Sequence, residues 1–359
     1  MFLRCTLPSA TLALAALAAV ACPSPAAAAQ SRAPVYREIK DWVVACDNTA
    51  RCEAAGTGED YPQLILRLVS EAGPDGAPTL LLEAETAIDP ATLRLDGRPF
   101  AAAALLQPAA AGDDGRQPIG RDAAQVHAFL DAIRNGERLS AGDGDGAPAA
   151  SLAGLSAALL LIDETQGRLG TVTALLRRGP LPASRVPAAA PAPVLPRAHA
   201  GAPPLTDAQR RRLVQTVRAT AELQREDCSV EAGSAYDEAE PLNADEALVL
   251  VECWRGAYQS TSLAFRLRRD GSGTPQRVRL ALPFAVDGET RVVEEFTGAS
   301  YGKGELSHFA KGRGLADCGE SAGWVFDGRD FHLRHYHRLG QCRGGSPGEW
   351  PALWRSRGD

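Results

Sequence analysis

Between Gly179 and Pro204 the chain carries eight prolines (180, 182, 187, 191, 193, 196, 203 and 204), interleaved with alanine and nearly free of bulky residues. Proline fixes φ and lacks a backbone donor, so neither a helix interior nor a central strand passes through such a run. The segment 179–204 is expected to be an extended, semi-rigid linker. It divides the 359 residues into an N-terminal part, 30–178, and a C-terminal part, 205–359. Each is long enough to bury a core of its own. A long surface loop within one domain is the alternative.

The chain begins Met1-Phe2-Leu3-Arg4, continues through an apolar stretch from Thr11 to Ala21, and reaches Ala26-Ala27-Ala28-Ala29 before Gln30. A positive start, a short apolar run and small residues before a cut are the parts of a secretory signal peptide, here residues 1–29. Lipid attachment at Cys22, after Ala19-Val20-Ala21, is the competing route. No later run reaches the about 20 apolar residues that cross a bilayer, so no transmembrane segment is expected after the signal. The expected location is periplasmic or secreted, with a lipoprotein anchored at Cys22 as the alternative.

Removing residues 1–29 also removes Cys5 and Cys22, leaving Cys46, Cys52, Cys228, Cys253, Cys318 and Cys342. An even number in an oxidising compartment reads as disulfides, and many pairings are open. The sequential one, Cys46 to Cys52, Cys228 to Cys253 and Cys318 to Cys342, is the simplest. No C-x-x-C pair is present, which argues against zinc.

Local patterns predict a mixed, α+β protein with two halves, mainly antiparallel sheet and a β-rich C-terminal half. Trp42–Cys46, Leu64–Val69 and Thr79–Ala84 read as strands, the last two joined by the turn Gly73-Pro74-Asp75-Gly76. Arg121–Arg134 and Leu155–Gly167 read as helices, and Thr171–Leu176 as a strand. After the linker, Thr206 and Gln209 stand at capping-box spacing ahead of one amphipathic helix carrying Leu213, Val214, Val217 and Leu223. Strands follow at Ala247–Trp254, Ser262–Leu267, Val278–Leu282, Arg291–Phe296, Trp324–Phe326 and Phe331–Tyr336. Trp350 to Trp354 is expected to dock the C-terminus onto this sheet.

A net charge of −6 offers no general attraction for a phosphate backbone, so no nucleic-acid partner is expected. The best site candidate is a glycine-rich basic segment, Gly302-Lys303-Gly304 with Lys311-Gly312-Arg313-Gly314, which holds two of the three lysines. Glycine lets backbone N–H groups face one concavity, and Lys303, Lys311 and Arg313 would draw an anionic ligand or an envelope partner there. Two tight turns flanking a disulfide are the alternative. His332, His335 and His337 form the other cluster. Strict alternation places Phe331, Leu333, His335 and His337 on one side and His332, Arg334 and Tyr336 on the other, so only two imidazoles converge. That is too few for a metal, and no metal or cofactor is expected. The nine acidic residues between Glu226 and Glu252 lack the EF-hand order, as does Asp143-Gly144-Asp145-Gly146. No nucleophile with a base is assigned, and Asp163-Glu164, adjacent on a helix, point apart. No catalytic residue follows.

Several stretches resemble an uncharacterised family of exported bacterial proteins, domain of unknown function 1176. They are Asp41–Asn48 with Arg51-Cys52; Asp163-Glu164-Thr165-Gln166-Gly167-Arg168; Gly256-Ala257-Tyr258; Lys311–Gly314 with Asp317-Cys318-Gly319; and Cys342-Arg343-Gly344 with Trp350-Pro351 and Leu353-Trp354-Arg355. Gln259 and Ala316 stand where the resemblance expects Asn and Gly. The opening Asp-Trp-x-Val-x-Cys is also similar to that of invasion-associated locus B proteins. The resemblance implies export and disulfides, and brings no activity. The expectation is a binding or envelope-associated module, with an envelope-polymer hydrolase using carboxylates or the His332, His335 and His337 strand as the rival.

Overall fold

The computed structural model describes residues 32–358 apart from 59–63, 102–104, 106–115, 121, 145, 231–233 and 346. The signal segment 1–29, the start of the expected first helix at Arg121, and Asp145 lie outside the described residues.

The first half runs β1 (Val35–Ile39), β2 (Trp42–Cys46), β3 (Cys52–Gly56), β4 (Ile65–Ser70), β5 (Pro78–Glu83), β6 (Leu93–Leu95), β7 (Arg98–Pro99), β8 (Arg116–Gly120), α1 (Ala123–Ile133), β9 (Arg138–Ala141), β10 (Ala149–Ser151) and α2 (Leu155–Gln166). Strands β1-β2-β3-β4-β5-β8 form one antiparallel sheet and β10-β9-β6-β7 a second. Alternation along β2 sends Trp42, Val44 and Cys46 to a core shared with Phe129 of α1 and Leu159 of α2. The other β2 face, Val43 and Ala45, enters a different core with Trp324, Tyr336 and Trp354 from the far end of the chain. All five β2 residues are therefore buried. The Asp122 carboxylate caps α1 by accepting from Ala124 and Gln125 N–H, and α2 stops at Gly167 in the left-handed region (φ 69°).

The second half runs α3 (Asp207–Arg218), α4 (Ala221–Arg225), β11 (Glu238–Pro241), β12 (Glu246–Arg255), β13 (Ser260–Arg268), β14 (Gln276–Arg277), β15 (Leu280–Val286), β16 (Glu289–Val293), β17 (Phe296–Thr297), β18 (Ser300–Gly302), β19 (Glu305–Lys311), β20 (Gly319–Phe326), β21 (Phe331–Leu339) and β22 (Ala352–Arg355). It contains two antiparallel five-stranded sheets and the β15-β16 pair. The protein is α+β, with its strands concentrated in this half. Thr206 and Gln209 complete the capping box of α3. The expected single helix is two, because Thr220 ends the first and its hydroxyl caps the second by accepting from Leu223 N–H. Thr171–Leu176 is a turn rather than a strand: the Asp163 carboxylate holds the Leu175, Leu176 and Arg177 amides that a ladder would use.

The three disulfides are the sequential ones: Cys46–Cys52, Cys228–Cys253 and Cys318–Cys342. Residues 179–204 lie along the protein in contact with both halves. Ala190 N–H donates to Thr49 O, Leu195 N–H to Arg357 O and His199 N–H to Phe326 O, and Val186, Ala190 and Leu195 are buried. The N-terminal strands and the C-terminus are also stitched directly. The Asn48 side chain donates to Arg355 O (3.0 Å) and accepts from Arg355 N–H (2.8 Å), and Gly340 N–H donates to the Tyr36 hydroxyl (2.7 Å). Among the described residues, no helix is long and apolar enough to cross a membrane.

Candidate binding cleft

The basic segment is divided by a strand the sequence hid. Lys303, at φ 52°, sits in the turn between β18 and β19, while Lys311 ends β19, so the two lysines lie at opposite ends of a fully extended strand. About 8 residues of strand separate them by roughly 25 Å. Arg313 turns back on its own loop: Nε meets Asp317 Oδ1 at 2.7 Å and Nη2 meets Oδ2 at 2.5 Å. That bidentate pair neutralises the Arg313 charge within its own loop and holds the Asp317 carboxyl below its usual range. Of the expected anion group, Lys311 borders a cleft.

That cleft, of about 590 Å³, lies between the β12–β13 hairpin turn, the segment 236–238 and the end of β19. Its rim carries Tyr258, 71% exposed, and Tyr236, 59% exposed; with Leu315 at 67% these are the three most exposed large apolar side chains among the described residues. Each ring is held. Gly314 lies against the Tyr258 ring so closely that a Cβ there would come within 2.9 Å of it, so a larger residue would have to displace the ring. The Arg255 guanidinium sits 5.2 Å over the Tyr236 ring and is itself fixed by the fully buried Glu252. Bonds from Arg255, then, against burial, from Ser234 and Ser260, hold the Glu252 carboxyl down to about 2. Gln259 locks the hairpin turn to β19, accepting from Lys311 N–H (2.8 Å) and donating to Phe309 O. Among the described residues Lys311 makes no ion pair, so its charge is free.

Much of the acidic run is spent internally, although Glu238 is exposed. Glu226 meets Arg277, Asp237 meets Arg218, Glu240 meets Arg210 and Glu246 meets Arg266. No group of three or more His, Cys, Asp or Glu is placed to hold a metal among the described residues. On β21 a bulge at Arg334 breaks strict alternation: Leu333 pairs with Trp324, and His335 with the next residue back, Gly323. Leu333 therefore shares a face with Tyr336, and His332 joins His335 and His337 on the other. His332 is bound to Asp327 (2.8 Å), and the rings of His335 and His337 lie 5.2 Å apart.

The Asp163–Arg168 segment is internal scaffold. Besides the Asp163 bonds, Gln166 donates to Ala50 O and Ser70 O, and Arg168, 1% exposed, donates to the carbonyls of Glu71, Gly73 and Gly76. Two catalytic orders exist by spelling alone. Ser300-Tyr301-Gly302-Lys303 reads S-x-x-K, but it lies on a hairpin, where residues three apart face opposite ways, and Ser300 is bonded to Ser307. Gly319-Glu320-Ser321-Ala322-Gly323 reads G-x-S-x-G, yet it runs within β20 instead of turning from strand to helix. Ser321 does stand opposite His337 in register, with no hydrogen bond between their side chains.

The fold and the cleft define a disulfide-braced α+β protein with an open cleft rimmed by tyrosine rings. The chain belongs to the family described as Protein of unknown function (DUF1176), which matches residues 36–357. It is 35% identical over 343 residues to the "Uncharacterized protein YpfG" of Escherichia coli (strain K12), covering 90% of this chain and 94% of that protein. No solved structure matches.

Proposed function

We propose that the protein is an exported ligand-binding module whose site is the cleft between Tyr236, Tyr258 and Lys311, and that its ligand is anionic. The observation that carries this reading is the gathering of exposed rings around Lys311, a cation that makes no ion pair among the described residues, while the neighbouring Arg255 is tied to Glu252. Exposed apolar groups concentrated at one place mark an interaction surface. Three disulfides and the signal-like N-terminus support export into an oxidising compartment. The test is capture from envelope extract by wild type, Tyr258→Ala, Lys311→Ala and Arg313→Ala. Capture is expected to be lost in the first two variants and kept in the third. Equal capture by all four removes the cleft from consideration.

A hydrolase built on the β21 histidines is the second reading, favoured by the placement of Ser321 opposite His337. Burial, then His335 and Arg355, push His337 down to about 4, with Glu53 opposing, so at neutral pH its imidazole is an uncharged base. Turnover of p-nitrophenyl acetate that disappears in Ser321→Ala would support it, and wild-type protein without turnover rejects it.

A further inference from the structure

We infer that the cleft takes a saccharide chain bearing spaced carboxylates; this rests on the reading of the cleft as the binding site. The first observation is length. A second cavity, of about 900 Å³, borders the same Glu238 and continues past it between α3, β11 and β18. The two together form a trough suited to an extended chain rather than to one small molecule.

The second observation is the distribution of charge. Of the cations along the trough, Arg210, Arg218 and Arg255 are tied to Glu240, Asp237 and Glu252. Lys311 in one cavity and Arg211 in the other make no ion pair among the described residues. The exposed carboxylate of Glu238 lies where the cavities join. A uniform polyanion such as polyphosphate would meet that carboxylate head on. A chain of sugars offers hydroxyl donors to it and carboxylates to the two free cations.

The third observation concerns what lines the trough. Flat, fixed tyrosine rings with a polar tip suit the C–H faces and hydroxyls of a pyranose. Between them Gly256, Ala257, Ser260 and Ser262 leave a shallow floor with hydroxyls, beside the apolar Leu250 and Phe309, on which a ring of C–H and hydroxyl groups can lie. A peptide could add instead as a strand to the free edge of β11. That edge is blocked: the Ala239 carbonyl accepts from Arg210, and Pro241 has no N–H to give.

The experiment is calorimetric titration with hexagalacturonate, with digalacturonate, with neutral chitohexaose and with an oligoglutamate, using wild type, Lys311→Ala, Tyr258→Ala, Arg211→Ala and Arg313→Ala. Hexagalacturonate is expected to bind best, and Lys311→Ala and Tyr258→Ala each to weaken it about tenfold, the scale of one charge-assisted contact. Arg211→Ala should weaken the hexamer and leave the dimer unchanged, and Arg313→Ala should change neither. Oligoglutamate binding as tightly as hexagalacturonate, with a loss in Tyr258→Ala, overturns the saccharide and leaves the cleft. Chitohexaose binding equally well in wild type and Lys311→Ala overturns the carboxylate requirement. If no probe responds to Tyr258→Ala, both the ligand class and the cleft reading fall.

Discussion

Asp163–Arg168 and Lys311–Gly314 are both short, charged and closed by glycine, and they are used in opposite ways. In the first, Asp163, Gln166 and Arg168 are turned inward while Glu164 stays exposed: a carboxylate gathers three amides, and a buried guanidinium gathers three carbonyls. In the second, Arg313 is bound to Asp317 while Lys311 and the Tyr258 ring propped by Gly314 face the cleft. Charge in a motif therefore says little until its partners are counted. A satisfied group holds the fold, and an unsatisfied one at a rim is available to a ligand.

The sharpest way to break this contrast is Arg168→Ala. It strands three carbonyls in the interior, so stability to denaturant should fall by about 3 kcal/mol or more, while the cleft's affinity for its ligand stays as in wild type. A loss below about 1 kcal/mol would show that water replaces the guanidinium.

Acid probes the same inward use of charge at two other groups. Burial opposes ionisation of Glu320, but bonds from His308, Arg291 and Tyr336 hold its carboxyl at about 2, below an ordinary 4.5. His337 stands at about 4 against an ordinary 6.5. In both cases the folded state binds its proton less readily than the unfolded chain. Their stabilisation is complete above the unfolded values and declines as pH falls, between 6.5 and 4 for His337 and between 4.5 and 2 for Glu320. The His337 share is about 3 kcal/mol at most. Denaturation midpoints across this range should fall in wild type and fall less between pH 6.5 and 4 in His337→Gln; identical profiles would assign the loss elsewhere.

The smallest effect lies in the second loop. Ala316 sits at φ 56°, in the left-handed region that favours glycine. Ala316→Gly should stabilise by about 1 kcal/mol, read as a higher melting temperature. No change would mean that the loop relaxes around alanine. The residue expected here by resemblance to the family was glycine, and the backbone gives the reason.

Much of the scaffold was legible because its signals are local. The cap at Thr206, the Gly167 stop and the hairpin between Phe326 and Phe331 all reside in a few consecutive residues. The Arg334 bulge was not, since an inserted residue leaves the string of side-chain types unchanged and reverses only what each one faces. Strand β19 was hidden by the glycines and lysines at its ends. The cleft depends on contacts between distant segments, with Tyr236, Tyr258 and Lys311 brought together only by sheet packing. One signal for it was present: Tyr258 follows Gly256-Ala257 in a hairpin turn, where an aromatic ring has nothing of its own to cover.

Strand β2 belongs to two cores at once, and its neighbour Asn48 clasps Arg355. The core that covers Val43 and Ala45 also takes Leu353 and Trp354 of β22, so an early strand is sealed in part by one that lies far along the chain. Until β22 docks, that face of β2 is incompletely covered. A chain cut before Ala352 would lose both side chains and leave the apolar face partly open to water.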